Sequence, residues 1–167
     1  MIELGVDAIL IADDFGYKSG TLLSPSHFRD FVLPLFVEEV QTVRRLGKPV
    51  LFHCCGNVNL ILDDLAESGI NGYNPLQRTA GMDLGRVKAS HGHLISLCGN
   101  VDSSVTLPFG TREDVERETR ECLRVAGPDG GYILGSDHSL HGGIPVESML
   151  TMIETGQRFG AYPIASA

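Results

Sequence analysis

Two periods of hydrophobic patterning alternate along the chain. Short apolar runs with β-branched residues stand between longer segments in which apolar residues return every three or four positions. That is the pattern of repeated βα units around a parallel sheet. Five runs are predicted strands: residues 7–13, 49–54, 70–74, 94–98 and 132–134. Between the first two, Ser24-Pro25 opens a long helix carrying Phe28, Val32, Leu35, Phe36 and Val43. Gly47 closes that helix and Pro34 should kink it. Asn57 can cap a helix that starts directly after Gly56, with Val58, Ile61, Leu62 and Leu65 as one stripe and Gly69 as the stop. Residues 83–90 make a weaker helix because Gly85 lies inside it. Thr111 and Asp114 are spaced as a capping box ahead of Val115, Cys122, Leu123 and Ala126, and Pro145 starts a last helix through Val146, Met149, Leu150 and Ile153.

Five βα units in series suit either an open doubly wound sheet or part of a closed barrel. The distribution of polar residues decides between them. Every strand ends in polar or glycine residues, at 13–14, 53–55, 74–77, 99–102 and 136–138. A barrel builds its active site from the C-terminal loops of several strands in this way. The expected fold class is therefore α/β, the C-terminal portion of a (β/α)8 TIM-type barrel, with residues 1–167 as one domain. A complete barrel takes about 250 residues. The rest of a barrel, or another copy in a homo-oligomer, is thus expected to cover the sheet's edges.

Charge narrows the function. Thirteen Lys and Arg against 21 Asp and Glu give a net charge of −8, which lacks the basic footprint of a nucleic-acid or anionic-membrane surface. Small-molecule chemistry is the expectation. No apolar run approaches the roughly 20 residues that span a bilayer. The opening MIELGVDAILIADD lacks the basic region of a secretory signal, so a cytoplasmic location is expected. In that setting the four cysteines are thiols rather than disulfides, and Cys122 falls on the apolar face of its helix as core. No G-x-G-x-x-G, P-loop or G-x-S-x-G stands in a usable strand–turn–helix context.

The stretch FHCCGN at 52–57 carries the most specific chemistry. Side chains two apart on a strand share a face, so His53 and Cys55 point together while Cys54 points into the packing layer. An imidazole and a thiolate so placed are two ligands for zinc. Gly56-Asn57 would then aim a helix N-terminus at the site and favour the thiolate. A third ligand is expected from GYILGSDHSLHGGIP, where Asp137, His138 and His141 are all capable; otherwise that loop is a turn with solvated histidines. Asp13 and Asp14 close the first strand, and alternation sends at most one of them, here taken as Asp14, into the site as an acid or base. Asp14, Asp137 and His138 are the candidate catalytic residues, and Asn74, Gln77, Asn100, Asp102 and His141 the candidate substrate contacts. Asn100 and Asp102 also read as turn formers, and CGNV recurs at 55–58 and 98–101.

The order DDFGYKSGTLLSP, KPVLFHCCGNVNLILDDLAESGINGYNPLQ, GMDL, LCGNVD and GGYILGSDHS resembles the C-terminal part of the uroporphyrinogen decarboxylase superfamily over nearly the whole chain. The resemblance implies a (β/α)8 barrel and one of two chemistries. One is zinc-dependent methyl transfer or demethylation with a corrinoid carried by a partner protein; the other is decarboxylation of a tetrapyrrole in porphyrin synthesis, without cofactor. The His-x-Cys of the methyltransferase branch matches His53-Cys54-Cys55. Where that branch has a further cysteine after the last strand, this chain has Ser136-Asp137-His138, which puts Asp137 or His138 forward as the third metal ligand. For the decarboxylase alternative, His138 or His141 would donate the proton, with Arg78, Arg86 and Lys88 as candidate carboxylate contacts. A half-barrel that only binds or assembles is the remaining alternative.

Overall fold

The computed structural model describes residues 5–164. The chain begins with strand β1 (Ile9–Ala12) and a small antiparallel hairpin, β2 (Gly16–Tyr17) and β3 (Gly20–Thr21). Helix α1 (Pro25–His27) leads through a π-helical turn at Phe28–Val32 into α2 (Leu33–Arg45). Strand β4 (Val50–His53), helix α3 (Leu62–Glu67), strand β5 (Gly72–Asn74) and helix α4 (Leu84–His91) follow. The remainder is strand β6 (Ser96–Val101), helices α5 (Thr106–Phe109) and α6 (Arg112–Ala126), strand β7 (Tyr132–Ser136) and helix α7 (Val146–Phe159). Strands β1, β4, β5, β6 and β7 form one sheet in that order, every neighbouring pair parallel. A sheet laid down in chain order with a helix after most strands is the wall of an α/β barrel, and the expected fold class holds.

Several local expectations need correction. Ser24 caps α1 as read, its hydroxyl accepting from the His27 amide at 3.2 Å. Pro34 produces more than a kink. Lacking an N–H, it cannot continue the ladder, and the preceding turn widens until the Leu33 amide reaches back to the Phe28 carbonyl. Asn57 caps only a turn: its Oδ1 accepts from the Asn59 amide at 3.1 Å, and the helix begins at Leu62 instead of directly after Gly56. The strand expected at 94–98 starts at Ser96 and runs on to Val101, because Asn100 and Val101 pair with Gly135 and Ser136 on a β7 that is itself two residues longer than expected. The capping box at Thr111 and Asp114 is present in both directions.

The core lies between the helices and one face of the sheet. Val50, Phe52, Cys54, Tyr73 and Leu97 are fully buried there. Phe52 sits 4.5 Å from Phe36 and 5.4 Å from Phe15, centroid to centroid, with Tyr73 beyond at 6.3 Å. Each such ring contributes about 1.5–3 kcal/mol by leaving water. The Tyr73 hydroxyl donates to the Cys54 carbonyl at 2.7 Å, satisfying the one polar atom that burial would leave alone. Pleating and the strand register put Leu10, Leu51, His53, Asn74, Cys98 and Ile133 on the opposite face. Leu10 is 58% and Ile133 48% exposed. This is the face a barrel encloses, and it carries the candidate chemistry.

Candidate metal centre

The centre forms where the loop after β1 meets the loop after β4. His53 ends β4, and Cys55 follows two residues later on the same side. The His53 Nε2 and Cys55 Sγ lie 3.2 Å apart. Cys54 turns the other way into the core, where its sulfur accepts from the Phe15 amide at 3.2 Å. The third donor comes from the loop after β1. Asp14 Oδ1 accepts from the Cys55 amide at 2.8 Å, which pins its carboxylate beside the thiol. One donor atom each from Asp14, His53 and Cys55 falls within 4.8 Å of the other two.

Two glycines allow this approach. A Cβ on Gly56, whose φ is +81°, would stand 2.4 Å from the Gly16 carbonyl carbon; a Cβ on Gly16 would stand 2.5 Å from the Cys55 carbonyl oxygen. The two backbones therefore touch with no side chain between them, and the Asn57 amide bonds the Tyr17 carbonyl at 2.7 Å to fix the contact. Gln77 holds the same turn from the other side, its Oε1 accepting from the Gly56 amide at 2.9 Å.

Around the donors the electrostatics favour protonated sulfur in the metal-free protein. Burial, then the Asp14 carboxylate, pushes the Cys55 thiol up to about 11. The helix N-terminus expected to lower it lies elsewhere, since α3 starts seven residues after Cys55. On His53, Nδ1 meets Asn74 Oδ1 at 2.7 Å.

The remaining sequence-predicted residues divide clearly. Asp137 is fully buried and bound on both oxygens: Oδ1 accepts from the Ser103 amide at 2.8 Å and hydroxyl at 2.7 Å, and Oδ2 from the Arg78 amide at 3.1 Å. It ties the loops after β5, β6 and β7 together, and the carboxylate beside His53 and Cys55 is that of Asp14 instead. His138 and His141 are exposed and outside the cluster; the His141 Nδ1 accepts from the Gly143 amide at 3.1 Å. Asn74, expected to touch substrate, faces His53. Gln77 supports the turn just described. Buried Asn100 holds φ +81° and donates to the Leu76 and Met82 carbonyls at 2.7 and 3.2 Å. Asp102 caps the following turn through the Ser104 and Val105 amides at 2.6 and 3.1 Å.

Parallel βα units with a donor cluster at the carboxyl ends of adjacent strands define a segment of an α/β-barrel enzyme fold. A family model for uroporphyrinogen decarboxylase matches residues 1–159, and the chain belongs to that family. It is 33% identical over 126 residues to the methylcobamide:CoM methyltransferase of Methanosarcina barkeri, covering 74% of this chain and 34% of that protein. It is 27% identical over 158 residues to the uroporphyrinogen decarboxylase of Pelodictyon phaeoclathratiforme, covering 92% of this chain and 42% of that one. A solved methyltransferase from Methanosarcina mazei superposes with a TM-score of 0.79 at 29% identity, over 96% of this chain and 44% of its own. The chain thus spans less than half the length of these relatives. Among the described residues no helix is long and apolar enough to cross a membrane.

Proposed function

We propose that this chain supplies the metal-holding side of a zinc-dependent methyltransferase barrel that moves methyl groups to or from a corrinoid carried by a partner protein. The observation that carries the reading is the meeting of one nitrogen, one sulfur and one oxygen donor from Asp14, His53 and Cys55 within 4.8 Å. The donor set suits zinc, a borderline-soft ion that takes imidazole, thiolate and carboxylate together. The spacing suits it as well. A tetrahedral ion with Zn–N and Zn–S bonds of about 2.0–2.1 and 2.3 Å separates its nitrogen and sulfur ligands by about 3.6 Å, and the unligated pair stands at 3.2 Å. Three protein ligands leave the fourth position for substrate, as catalytic zinc sites do. Bound there, zinc would serve as a Lewis acid that lowers the pKa of a substrate thiol or polarises a methyl donor.

The chain's own residues prepare that position. Cys55 keeps its proton until it ligates, so metal uptake releases a proton and strengthens as pH rises. Asp14 is aimed by the Cys55 amide. A cavity of about 310 Å³ lined by Asp13, Asp14, Phe15, Leu22, Phe28 and Val32 lies toward the aromatic core, on the other side of Asp14 from His53 and Cys55. The decarboxylase alternative draws less support from this segment, because two of its three candidate cations are engaged: Arg78 bonds the Asn100 carbonyl at 3.3 Å and lies 3.7 Å from Glu118, and Lys88 donates to the Gly130 carbonyl at 2.6 Å, which leaves the exposed Arg86 as the remaining contact for a carboxylate.

The test is the spectral change of methylcobalamin incubated with a simple thiol and zinc-supplemented protein in the dark. Loss of the methylcobalamin spectrum that depends on protein and disappears in Cys55→Ser is the expected result. No demethylation by wild type, together with turnover of uroporphyrinogen, would transfer the assignment to decarboxylation; neither activity would leave the half-barrel a binding module.

A further inference from the structure

The geometry points to Asn74, seconded by Cys98, as a positioning residue that fixes which nitrogen of His53 is free to bind a metal; the inference rests on the reading just given. Asn74 sits directly opposite His53 in the β4–β5 register, and its carbonyl oxygen accepts from the Cys54 amide at 2.8 Å, so its backbone is held. Its side-chain oxygen lies 2.7 Å from His53 Nδ1. A carboxamide oxygen only accepts, and a neutral imidazole carries a single N–H, so that proton belongs on Nδ1. The lone pair is then left on Nε2, the nitrogen that faces Cys55 Sγ at 3.2 Å.

An amide can turn over and present its NH2 instead, which would reverse the arrangement. Cys98 opposes that. Its sulfur, on the next strand and the same face, lies 3.2 Å from Asn74 Nδ2 and accepts from it. A row of contacts thus crosses adjacent strands from Cys98 through Asn74 and His53 to Cys55, continuing by the Cys55 amide to Asp14 just after β1. Hydrogen bonds of this kind, from the far nitrogen of a metal-binding histidine, set its tautomer and ring orientation. Asn74 supplies the bond without adding negative charge beside Asp14.

The experiment uses the full chain, metal-free, with 15N-labelled histidine, and reads the protonated ring nitrogen of His53 from two-bond proton–nitrogen spectra at about pH 8, where an ordinary imidazole is neutral. Wild type is expected to be the Nδ1–H tautomer. Asn74→Leu should move the population toward Nε2–H, Asn74→Asp should restore Nδ1–H, and Cys98→Ala should give a mixture. In a zinc competition with a chromophoric chelator, Asn74→Leu should bind roughly 10- to 100-fold more weakly than wild type, and Asn74→Asp should recover most of the loss. A wild-type ring protonated on Nε2 overturns the inference without recourse to any variant. So does an Asn74→Leu spectrum identical to wild type; an unchanged Cys98→Ala spectrum removes Cys98 from it. If wild type is Nδ1–H and takes up no zinc, the positioning stands and the metal-centre reading fails.

Discussion

The contact between Gly16 and Gly56 should be measurable as stability. Replacing Gly56 by alanine imposes two separate costs. The first is conformational: an L-residue at φ +81° costs about 1–2 kcal/mol relative to its ordinary range. The second is steric. The new Cβ would lie 2.4 Å from the Gly16 carbonyl carbon and 2.6 Å from the Tyr17 amide nitrogen, and both are backbone atoms that cannot swing aside. Forcing such a contact apart adds about 1–3 kcal/mol. Gly56→Ala should therefore lose about 2–5 kcal/mol in all. Gly47→Ala is the control, because Gly47 also has positive φ, +72°, yet nothing lies within 4 Å of its Cβ position; it should lose only about 1–2 kcal/mol. Urea unfolding of both variants at equal slope compares them directly. The separation of the two loops should also move Asp14 away from Cys55 and weaken zinc binding. If Gly56→Ala is no less stable than Gly47→Ala, the two loops do not touch as described and the support for Asp14 in the cluster falls with them.

Other consequences are simpler to test. Phe52→Ala removes a fully buried ring from the cluster of Phe15, Phe36 and Tyr73, and should cost about 3–5 kcal/mol in equilibrium unfolding; a loss below about 1 kcal/mol would mean this cluster is not core. Cys55 should be a poor nucleophile in the metal-free protein, because a thiol pushed up to about 11 is almost wholly protonated at neutral pH and gains thiolate only as pH climbs toward that value. Removing the neighbouring carboxylate lowers the thiol, so Asp14→Asn should alkylate faster with iodoacetamide at Cys55 at about pH 8, measured by mass spectrometry. A slower or equal rate in Asp14→Asn would place that carboxylate elsewhere.

The features legible in the sequence were those with local causes. Strand parity alone placed His53 and Cys55 together and Cys54 in the core, and glycines, prolines and caps marked most helix ends. The hairpin at 16–21 escaped notice because strands of two residues carry no alternation. The late start of α3 follows from Asn57 making its bond to Asn59 in a turn. The extension of β6 to Val101 required knowing its partner, since Gly-Asn reads as a turn until β7 pairs beside it. For the candidate centre, two donors came from one i, i+2 spacing, whereas the third came from the loop after a strand some forty residues earlier that only the β1–β4 pairing brings alongside. Asp137 had the right chemistry, but its oxygens are satisfied by Ser103 and Arg78, a fact of three loops and not of one motif. The pairing of Asn74 with His53 is likewise invisible in the sequence, because a register between strands cannot be seen along a single segment.

Zinc uptake measured on the full chain bears most directly on the proposal. Protein isolated without chelator, then titrated in competition with a chromophoric chelator, should hold one zinc per chain. His53→Ala and Cys55→Ser should each lose it, and Asp14→Asn should weaken it at least tenfold, while Asp137→Asn should leave the site's occupancy intact wherever the variant folds. Protein that binds no zinc, or binds it equally well without His53, Cys55 or Asp14, would contradict the account.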